Sequence, residues 1–272
     1  MREIDHDDNP LRTAHISTLI IIDALDECKD EEPTSAILSI LSHCVDQIPD
    51  VKFFITGRPE LRIHSRFRLP ALQPITELFK LHNVEPSSVD TDIKLFFSTH
   101  LSNIAKHQSH DSFTKGWPSS SDIDVLCQKA GGLFIYAATV IKFVSSKHHQ
   151  PSKRLALLVS LPQNTSYEGG SGIDSLYTEV LGQAFCDVGF DNLKLGDQEV
   201  YYCLRSVVGA VLLVFNPLSI KSLSDLLSNF NTPSDISTAL RSFHSLLLIP
   251  NNIEDPICTF HKSFPDFLME PE

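Results

Sequence analysis

The sequence is poor in basic residues. Lysine and arginine together number 22 against 34 aspartates and glutamates, so the formal net charge at pH 7 is −12. A surface this acidic repels the phosphate backbone of nucleic acids and the anionic headgroups of lipids. The composition therefore argues against general nucleic-acid or membrane binding, and we expect neither as a partner.

The sequence also lacks long apolar runs and targeting features. Its longest apolar run, residues 207–215, is far shorter than the roughly 20 residues of a membrane-spanning helix. The acidic N-terminus has neither the basic start nor the apolar stretch of a signal peptide. Six scattered cysteines form no C-x-x-C pair, which predicts reduced, mostly buried thiols. Together these absences predict a cytoplasmic protein.

What the sequence does contain is enough apolar side chain for a core. Hydrophobic residues make up 42% of the 272 residues and charged residues 21%. At about 150 residues per domain, this length corresponds to one large domain or two to three small ones. The patterns divide into an α/β region (1–88), a helical region (89–165) and a third region (173–272), with a Gly- and Ser-rich linker at 163–172. We therefore predict an α/β plus α fold class.

The first region alternates strand-like and helix-like segments. Residues 19–22 are a continuous apolar run ending at Asp23, which favours a parallel strand buried on both faces. Pro33 introduces a helix with apolar residues at i, i+4 spacing, and residues 51–55 form a second strand. This order predicts a right-handed βαβ unit, followed by a weaker strand at 78–81.

The two later regions are predicted to be mainly helical. Asp90 or Thr91 is expected to cap the first helix, Gly131 to end the second, and Pro151 to occupy the first turn of a later one. Further helices are expected at 175–184, 197–215, 219–228 and 234–245. Two apolar runs, 246–249 and 257–260, then predict a hairpin, so this region reads as a winged helix.

Charged residues follow both predicted strands of the first region, at the position where a ligand site is expected. Ligands of open α/β sheets bind at the carboxyl ends of the strands, so Asp23 is placed to hold a hydrated Mg²⁺ on a nucleotide. Asp26 and Glu27 follow in the next loop and could orient a water for attack on the γ-phosphate. Arg58 follows the second strand, and its planar donor fork matches phosphate geometry. The alternative is that Asp23 only caps the following turn and Arg58 only pairs with a carboxylate.

Several segments resemble one family. LIIIDALDEC (19–28) resembles the Walker B motif of NACHT-type STAND NTPases, especially fungal nephrocystin-like NACHT proteins, and FITGRPE (54–60) is similar to their sensor 1. GGLFIYAA (131–138) resembles the segment after the lid helices, with Phe134 where relatives often carry Pro. NPLS (216–219) and FHKSFPDFL (260–268) are similar to the winged-helix segment and its end.

The resemblance implies a set of roles. Asp23 would coordinate Mg²⁺, Asp26 with Glu27 beside it would polarise the hydrolytic water, and Arg58 would sense the γ-phosphate. His261 would read the bound diphosphate, although a lone histidine between two phenylalanines is also typical of a hydrogen-bonded core residue. The implied cofactors are ATP or ADP with Mg²⁺. The implied domains are the C-terminal half of a nucleotide-binding domain (1–88), a lid (89–165) and a winged helix (173–272).

One family motif is absent from these residues. The sequence contains no G-x-x-x-x-G-K-[ST], the loop whose backbone N–H groups and lysine hold the phosphates. The chain therefore looks like the family without its first strand and phosphate loop, and we expect no tight ATP binding or turnover by this chain alone. The incomplete parallel sheet should pair strand 51–55 with 19–23 and either expose an edge or pair with 77–83.

Three functions remain to be weighed. The first is a fragment of a STAND signalling ATPase, a nucleotide-dependent switch with protein partners that self-oligomerises when intact, in fungal self/non-self recognition or cell-death signalling. The second is a non-catalytic interaction or regulatory module that keeps the architecture without binding nucleotide. The third is DNA binding by the winged helix, which is disfavoured because residues 198–272 carry four basic and eight acidic side chains.

Overall fold

The computed structural model describes residues 18–28, 31–44, 47–48, 50–81, 85–107, 113, 116–146, 149–162, 172–187, 197–214, 216–227 and 232–269. The chain divides into two compact units, residues 1–81 and 82–272. Each unit has a hydrophobic core of its own. The regular structure is mostly helical with a small parallel sheet, which is compatible with the predicted α/β plus α class.

The first unit is built on one strand–helix–strand unit. Its elements are β1 (Thr18–Ile22), α1 (Glu31–Cys44), β2 (Val51–Ile55) and α2 (Leu61–Phe67). The two strands pair in parallel, with Thr18 opposite Val51 and Ile22 opposite Ile55. The predicted pairing of the two apolar runs is therefore confirmed, and both strands end at the same edge of the sheet.

Only one face of this sheet is covered by the described helices. Leu38 of α1 and Ile63 of α2 lie in the core beneath it, together with Leu25, Leu41 and Leu72. The covered face contributes Ile22, Phe53 and Ile55. On the other face Leu19, Ile21 and Phe54 are 58%, 64% and 57% exposed. The prediction of a strand buried on both faces is therefore wrong for the described residues, because α1 and α2 pack on one side only.

The predicted strand at 78–81 is also wrong. Residues 76–80 have no regular secondary structure, and Leu78, Phe79 and Leu81 are exposed. A strand needs a hydrogen-bonded neighbour, and the sheet containing β2 has only β1 beside it among the described residues. Of the two outcomes expected for β2, the described part of the chain therefore shows the open edge.

The second unit consists of helices followed by a short antiparallel pair. Its elements are α3 (Pro86–His107), α4 (Ser120–Ala130), α5 (Phe134–Val144), α6 (Pro151–Ser160), α7 (Gly172–Asp187), α8 (Asp197–Leu213), α9 (Ile220–Leu226), α10 (Pro233–Leu240), β3 (Leu247–Leu248), β4 (Cys258–Thr259) and α11 (Ser263–Met269). Gly131 is left-handed (φ 53°) and caps α4, and Pro151 opens α6, both as predicted. The predicted hairpin is confirmed by the pairing of β3 with β4, whereas the winged-helix arrangement stays a prediction.

One core joins the helices of the second unit. Its buried side chains run from Ile93 on α3 to Phe264 on α11. The three-region division stays a prediction, and most of the predicted linker, residues 163–171, lies outside the described residues. Four cysteines, Cys28, Cys44, Cys127 and Cys258, are free and only partly buried, so the predicted burial is incomplete for these four. Among the described residues, no helix combines the length and apolar character that crossing a membrane requires.

Lys129 of α4 caps the C-terminus of α6. Its Nζ donates to the carbonyl oxygens of Leu158, Val159 and Leu161 at 2.6, 2.9 and 2.7 Å. The last carbonyls of a helix have no partner within the helix, so a cation there satisfies them. Burial lowers the pKa of Lys129.

We expect Lys129→Met to lower the free energy of unfolding of the chain by about 1.5–3 kcal/mol, because three carbonyls lose a charged donor while the aliphatic stem is kept. Urea unfolding followed by circular dichroism measures this. Lys94→Met is the matched control, since Lys94 donates to Asp124 at the same 2.6 Å but both side chains are exposed. Equal losses in the two variants would contradict the capping role.

Candidate functional site

The parallel register brings the residues after β1 and β2 together. Ile22 and Ile55 are the last paired residues, so Asp23 and Thr56 leave the sheet side by side. The N–H of Thr56 donates to the carbonyl oxygen of Ile22 at 2.9 Å and extends the ladder by one bond. The carboxyl edge of the sheet, where ligands of α/β proteins bind, therefore contains both segments that carry the predicted site residues.

Asp23 is the exposed carboxylate of this edge. Its Oδ1 accepts a hydrogen bond from the hydroxyl of Thr56, whereas no described residue bonds its Oδ2. Carboxylate oxygens are hard ligands that suit Mg²⁺, which commonly binds one or two carboxylates and keeps waters and phosphate oxygens as its other ligands. No group of three or more histidine, cysteine, aspartate or glutamate side chains able to hold a metal occurs among the described residues. Asp23 fits a cation that phosphate also ligates, rather than one held by protein alone.

A tight turn follows Asp23. Ala24 adopts the left-handed conformation (φ 51°, ψ 52°) and precedes a 3-10 turn over Leu25–Glu27. This conformation costs about 1–2 kcal/mol for a residue with a Cβ. Two hydrogen bonds that Thr56 accepts hold the turn. Its Oγ1 accepts from the N–H of Ala24 at 2.8 Å, and its carbonyl oxygen accepts from the N–H of Leu25 at 2.9 Å. The turn places Leu25 in the core and directs Asp26 inward.

Asp26 is buried and joined to the second strand end. It is 5% exposed, and its Oδ1 accepts a hydrogen bond from the backbone N–H of Arg58 at 3.0 Å. Its Oδ2 lies 3.8 Å from Nε of Arg58. A Cβ at Gly57 would lie only 3.3 Å from Asp26 Oδ1, so a glycine there keeps this approach open. Glu27, by contrast, is exposed and is the member of the pair that faces solvent.

The backbone of Arg58 is fixed by a hydrogen bond to Asp26, whereas its side chain is partly exposed to solvent. The side chain is 45% exposed beside the buried carboxylate of Asp26. Arg62, in the first turn of α2, donates from Nη2 to the carbonyl oxygen of Asp26 at 3.1 Å and from Nε to Glu60 at 2.6 Å. The edge therefore combines two exposed carboxylates (Asp23 and Glu27), one buried carboxylate (Asp26) and the guanidinium groups of Arg58 and Arg62.

His261 belongs to the second unit. It is exposed immediately before α11, where its Nδ1 accepts from the N–H of Ser263 at 3.1 Å and lies 2.7 Å from the Ser263 hydroxyl. That hydroxyl is 2.7 Å from the hydroxyl of Tyr177, and burial raises the pKa of Tyr177. The hydroxyl of Ser263 thus joins the start of α11 to α7, and His261 bonds that hydroxyl from the other side. Its predicted role toward a diphosphate stays a prediction.

The structure brings four of the five predicted site residues to one sheet edge: Asp23, Asp26, Glu27 and Arg58. Thr56 is not among the residues predicted from the sequence, although it lies in the segment 54–60 that resembles sensor 1. Its position in the sequence could have identified it, because Thr56 directly follows β2 just as Asp23 directly follows β1.

Comparisons with known proteins match the part of the chain that contains this sheet edge. The family model described as nephrocystin 3, N-terminal, matches residues 9–58, which include β1, β2 and every predicted site residue of the first unit. Together with the curated relative, this match supports a NACHT-like family for the chain. That relative is the vegetative incompatibility protein HET-E-1 of Podospora anserina, which is 23% identical over 257 residues.

The alignment with HET-E-1 covers 93% of this chain but only 16% of the relative. The chain therefore spans about a sixth of the length of that curated relative. No solved structure shows significant similarity to the chain.

Proposed function

We propose that this chain is part of a NACHT-type STAND ATPase, a nucleotide-dependent conformational switch in fungal self/non-self recognition or cell-death signalling. The observation that carries the proposal is the parallel register that sets Asp23 and the Arg58 segment at one carboxyl edge. The relative named as a vegetative incompatibility protein supports the biological setting. Under this proposal, residues 1–88 belong to an incomplete P-loop NTPase sheet, 89–165 to a lid and 173–272 to a winged helix.

Each residue of the edge then has a distinct task. Asp23 ligates Mg²⁺ through the oxygen that no described residue bonds, and bound Mg²⁺ neutralises charge on the β- and γ-phosphates. Arg58 presents its guanidinium to the γ-phosphate from a backbone held by Asp26. Asp26 is the carboxylate proposed to polarise the hydrolytic water, with the exposed Glu27 beside it in the same turn. His261 is the proposed contact to the diphosphate.

The proposal predicts weak binding of Mg²⁺·ATP that depends on Asp23. With a Kd on the order of 1 mM, about 10 mM ligand stabilises the protein by about 1.4 kcal/mol. This corresponds to a rise in Tm of a few degrees. We expect Asp23→Ala to abolish the rise, as measured by differential scanning fluorimetry with and without Mg²⁺.

Asp50→Ala provides the matched control, because Asp50 is an exposed aspartate just before β2 at the opposite end of the same sheet. This variant should retain the full rise in Tm. If neither 10 mM Mg²⁺·ATP (about ten times the assumed Kd) nor Mg²⁺·ADP shifts the wild-type transition, nucleotide binding by this chain is refuted.

A second function is favoured by one observation, the absence of G-x-x-x-x-G-K-[ST] from the 272 residues. Without the backbone cradle and lysine of that loop, the same architecture would serve as a non-catalytic interaction or regulatory module. The thermal-shift experiment separates the two functions, since a regulatory module is not stabilised by nucleotide.

A further inference from the structure

We infer that Thr56 is a positioning residue, whose hydroxyl fixes the orientation of the Asp23 carboxylate at the sheet edge. The inference rests on the proposed function in one respect only, namely that Asp23 ligates the cation. Its structural part, that Thr56 orients Asp23, holds for the chain without any ligand and is tested separately.

The hydroxyl of Thr56 bridges the two groups that define the end of β1. It donates to Oδ1 of Asp23 and accepts from the backbone N–H of Ala24 at 2.8 Å. A hydroxyl has one donor and two acceptor lone pairs, so both bonds are made at once and each fixes the direction of the other. The Asp23 side chain is thereby tied to the backbone turn that follows it.

The backbone of Thr56 holds the hydroxyl in place. Its N–H donates to the carbonyl of Ile22 and its carbonyl accepts from the N–H of Leu25, both at 2.9 Å. The residue therefore bonds the segment before, at and after Asp23. Because threonine is β-branched, its χ1 is also more restricted than that of serine.

The consequence for Asp23 is a defined direction for its second oxygen. Asp23 is exposed, and its side chain makes no other hydrogen bond to the described residues, so without Thr56 it would rotate freely in solvent. With Oδ1 held, Oδ2 is the oxygen left to meet a cation. Because the carboxylate is already oriented, a cation that binds it loses less free energy to ordering the side chain.

The experiment compares Thr56→Val, which has nearly the same shape but no hydroxyl, with Thr56→Ser, which keeps the hydroxyl. NMR couplings that report χ1 of Asp23 are measured in the full chain without ligand. We expect one dominant rotamer in the wild type and in Thr56→Ser, and averaging in Thr56→Val. A single rotamer that persists in Thr56→Val, or averaging already present in the wild type, overturns the inference.

Hydrogen exchange supplies an internal control for local unfolding. In Thr56→Val the amide of Ala24 loses its acceptor, so its protection should fall about tenfold or more. The amide of Leu25 bonds to the backbone carbonyl of residue 56 and should keep its protection. Loss of protection at both amides would show that the substitution melts the turn, and a positioning role would then be refuted.

Mn²⁺ alone, a paramagnetic substitute for Mg²⁺, tests the link to function. Broadening of the signals of residues 22–24 should require about tenfold more Mn²⁺ in Thr56→Val than in the wild type, with Thr56→Ser close to wild type. If Mn²⁺ broadens no wild-type signal at this edge, the metal role of Asp23 in the proposed function fails. The rotamer and exchange measurements still decide whether Thr56 positions Asp23.

Discussion

Phe243→Ala is expected to destabilise the second unit by about 3–5 kcal/mol, the range measured for removing a large aromatic side chain from a packed core. Phe243 has no exposed surface and lies in the 3-10 turn that follows α10. Its ring meets that of Phe185 on α7 edge to face, with centroids 6.0 Å apart. The substitution removes a contact between α7 and the turn that follows α10, so both elements should become less stable.

Phe134→Ala is the matched control for this prediction. Phe134 also makes an edge-to-face contact, with Phe96 at a centroid distance of 6.0 Å, but is 45% exposed. Its loss should cost no more than the roughly 0.5–1.5 kcal/mol of an aromatic pair. The readout is urea unfolding followed by fluorescence of Trp117, the single tryptophan, which packs against the core of this unit. Comparable losses in the two variants would show that burial does not control the effect.

The strand pairing of the first unit was predictable because its pattern is local. A continuous apolar run favours a parallel strand, and one intervening helix leaves a crossover as the connection. The same pattern was misleading about burial. Apolar residues on both faces of β1 indicate that burial of both faces is favourable, but they do not identify the segments that would cover each face. In the structure the face with Leu19 and Ile21 is exposed.

Helix boundaries show where single residues mislead. Asp90 and Thr91 were predicted to cap α3, but the helix begins at Pro86. The hydroxyl of Thr91 instead bonds back to the carbonyl of Ser87 at 2.7 Å, an alternative open to threonine inside a helix. The cap of α4 is Ser119, which forms a reciprocal capping box with Asp122.

The candidate site was predictable in its location but not in its internal connections. Strand ends fix the sheet edge at which Asp23 and Arg58 emerge, and the sequence contains that information. The inward direction of Asp26 depends on the left-handed turn at Ala24 and on the close approach of Gly57. Both features depend on how two segments more than thirty residues apart in the chain meet in three dimensions. The hydrogen bond from the N–H of Arg58 to Asp26 joins these segments, and no local sequence pattern predicts it.

The connection through Asp26 leads to the second large effect. Asp26→Ala should lower the stability of the first unit by about 2–4 kcal/mol, because the N–H of Arg58 loses its acceptor and the guanidinium loses a buried counter-charge. Among the described residues, the core of this unit has five buried apolar side chains, so such a loss is a large share of the stability that they provide. Hydrogen exchange of peptides covering residues 18–28 and 50–60 measures it, since the single tryptophan lies in the other unit.

Asp23→Ala is the comparison that gives this result its meaning. Asp23 and Asp26 are three residues apart in one turn, but the first is exposed and the second is buried. Removing the exposed carboxylate should leave exchange in both peptides close to wild type, while abolishing the rise in Tm with Mg²⁺·ATP. Asp26→Asn keeps an acceptor for the N–H of Arg58 and should recover part of the loss. If Asp23→Ala destabilises the unit as much as Asp26→Ala, the two carboxylates share one structural role, and assigning the cation to Asp23 alone is wrong.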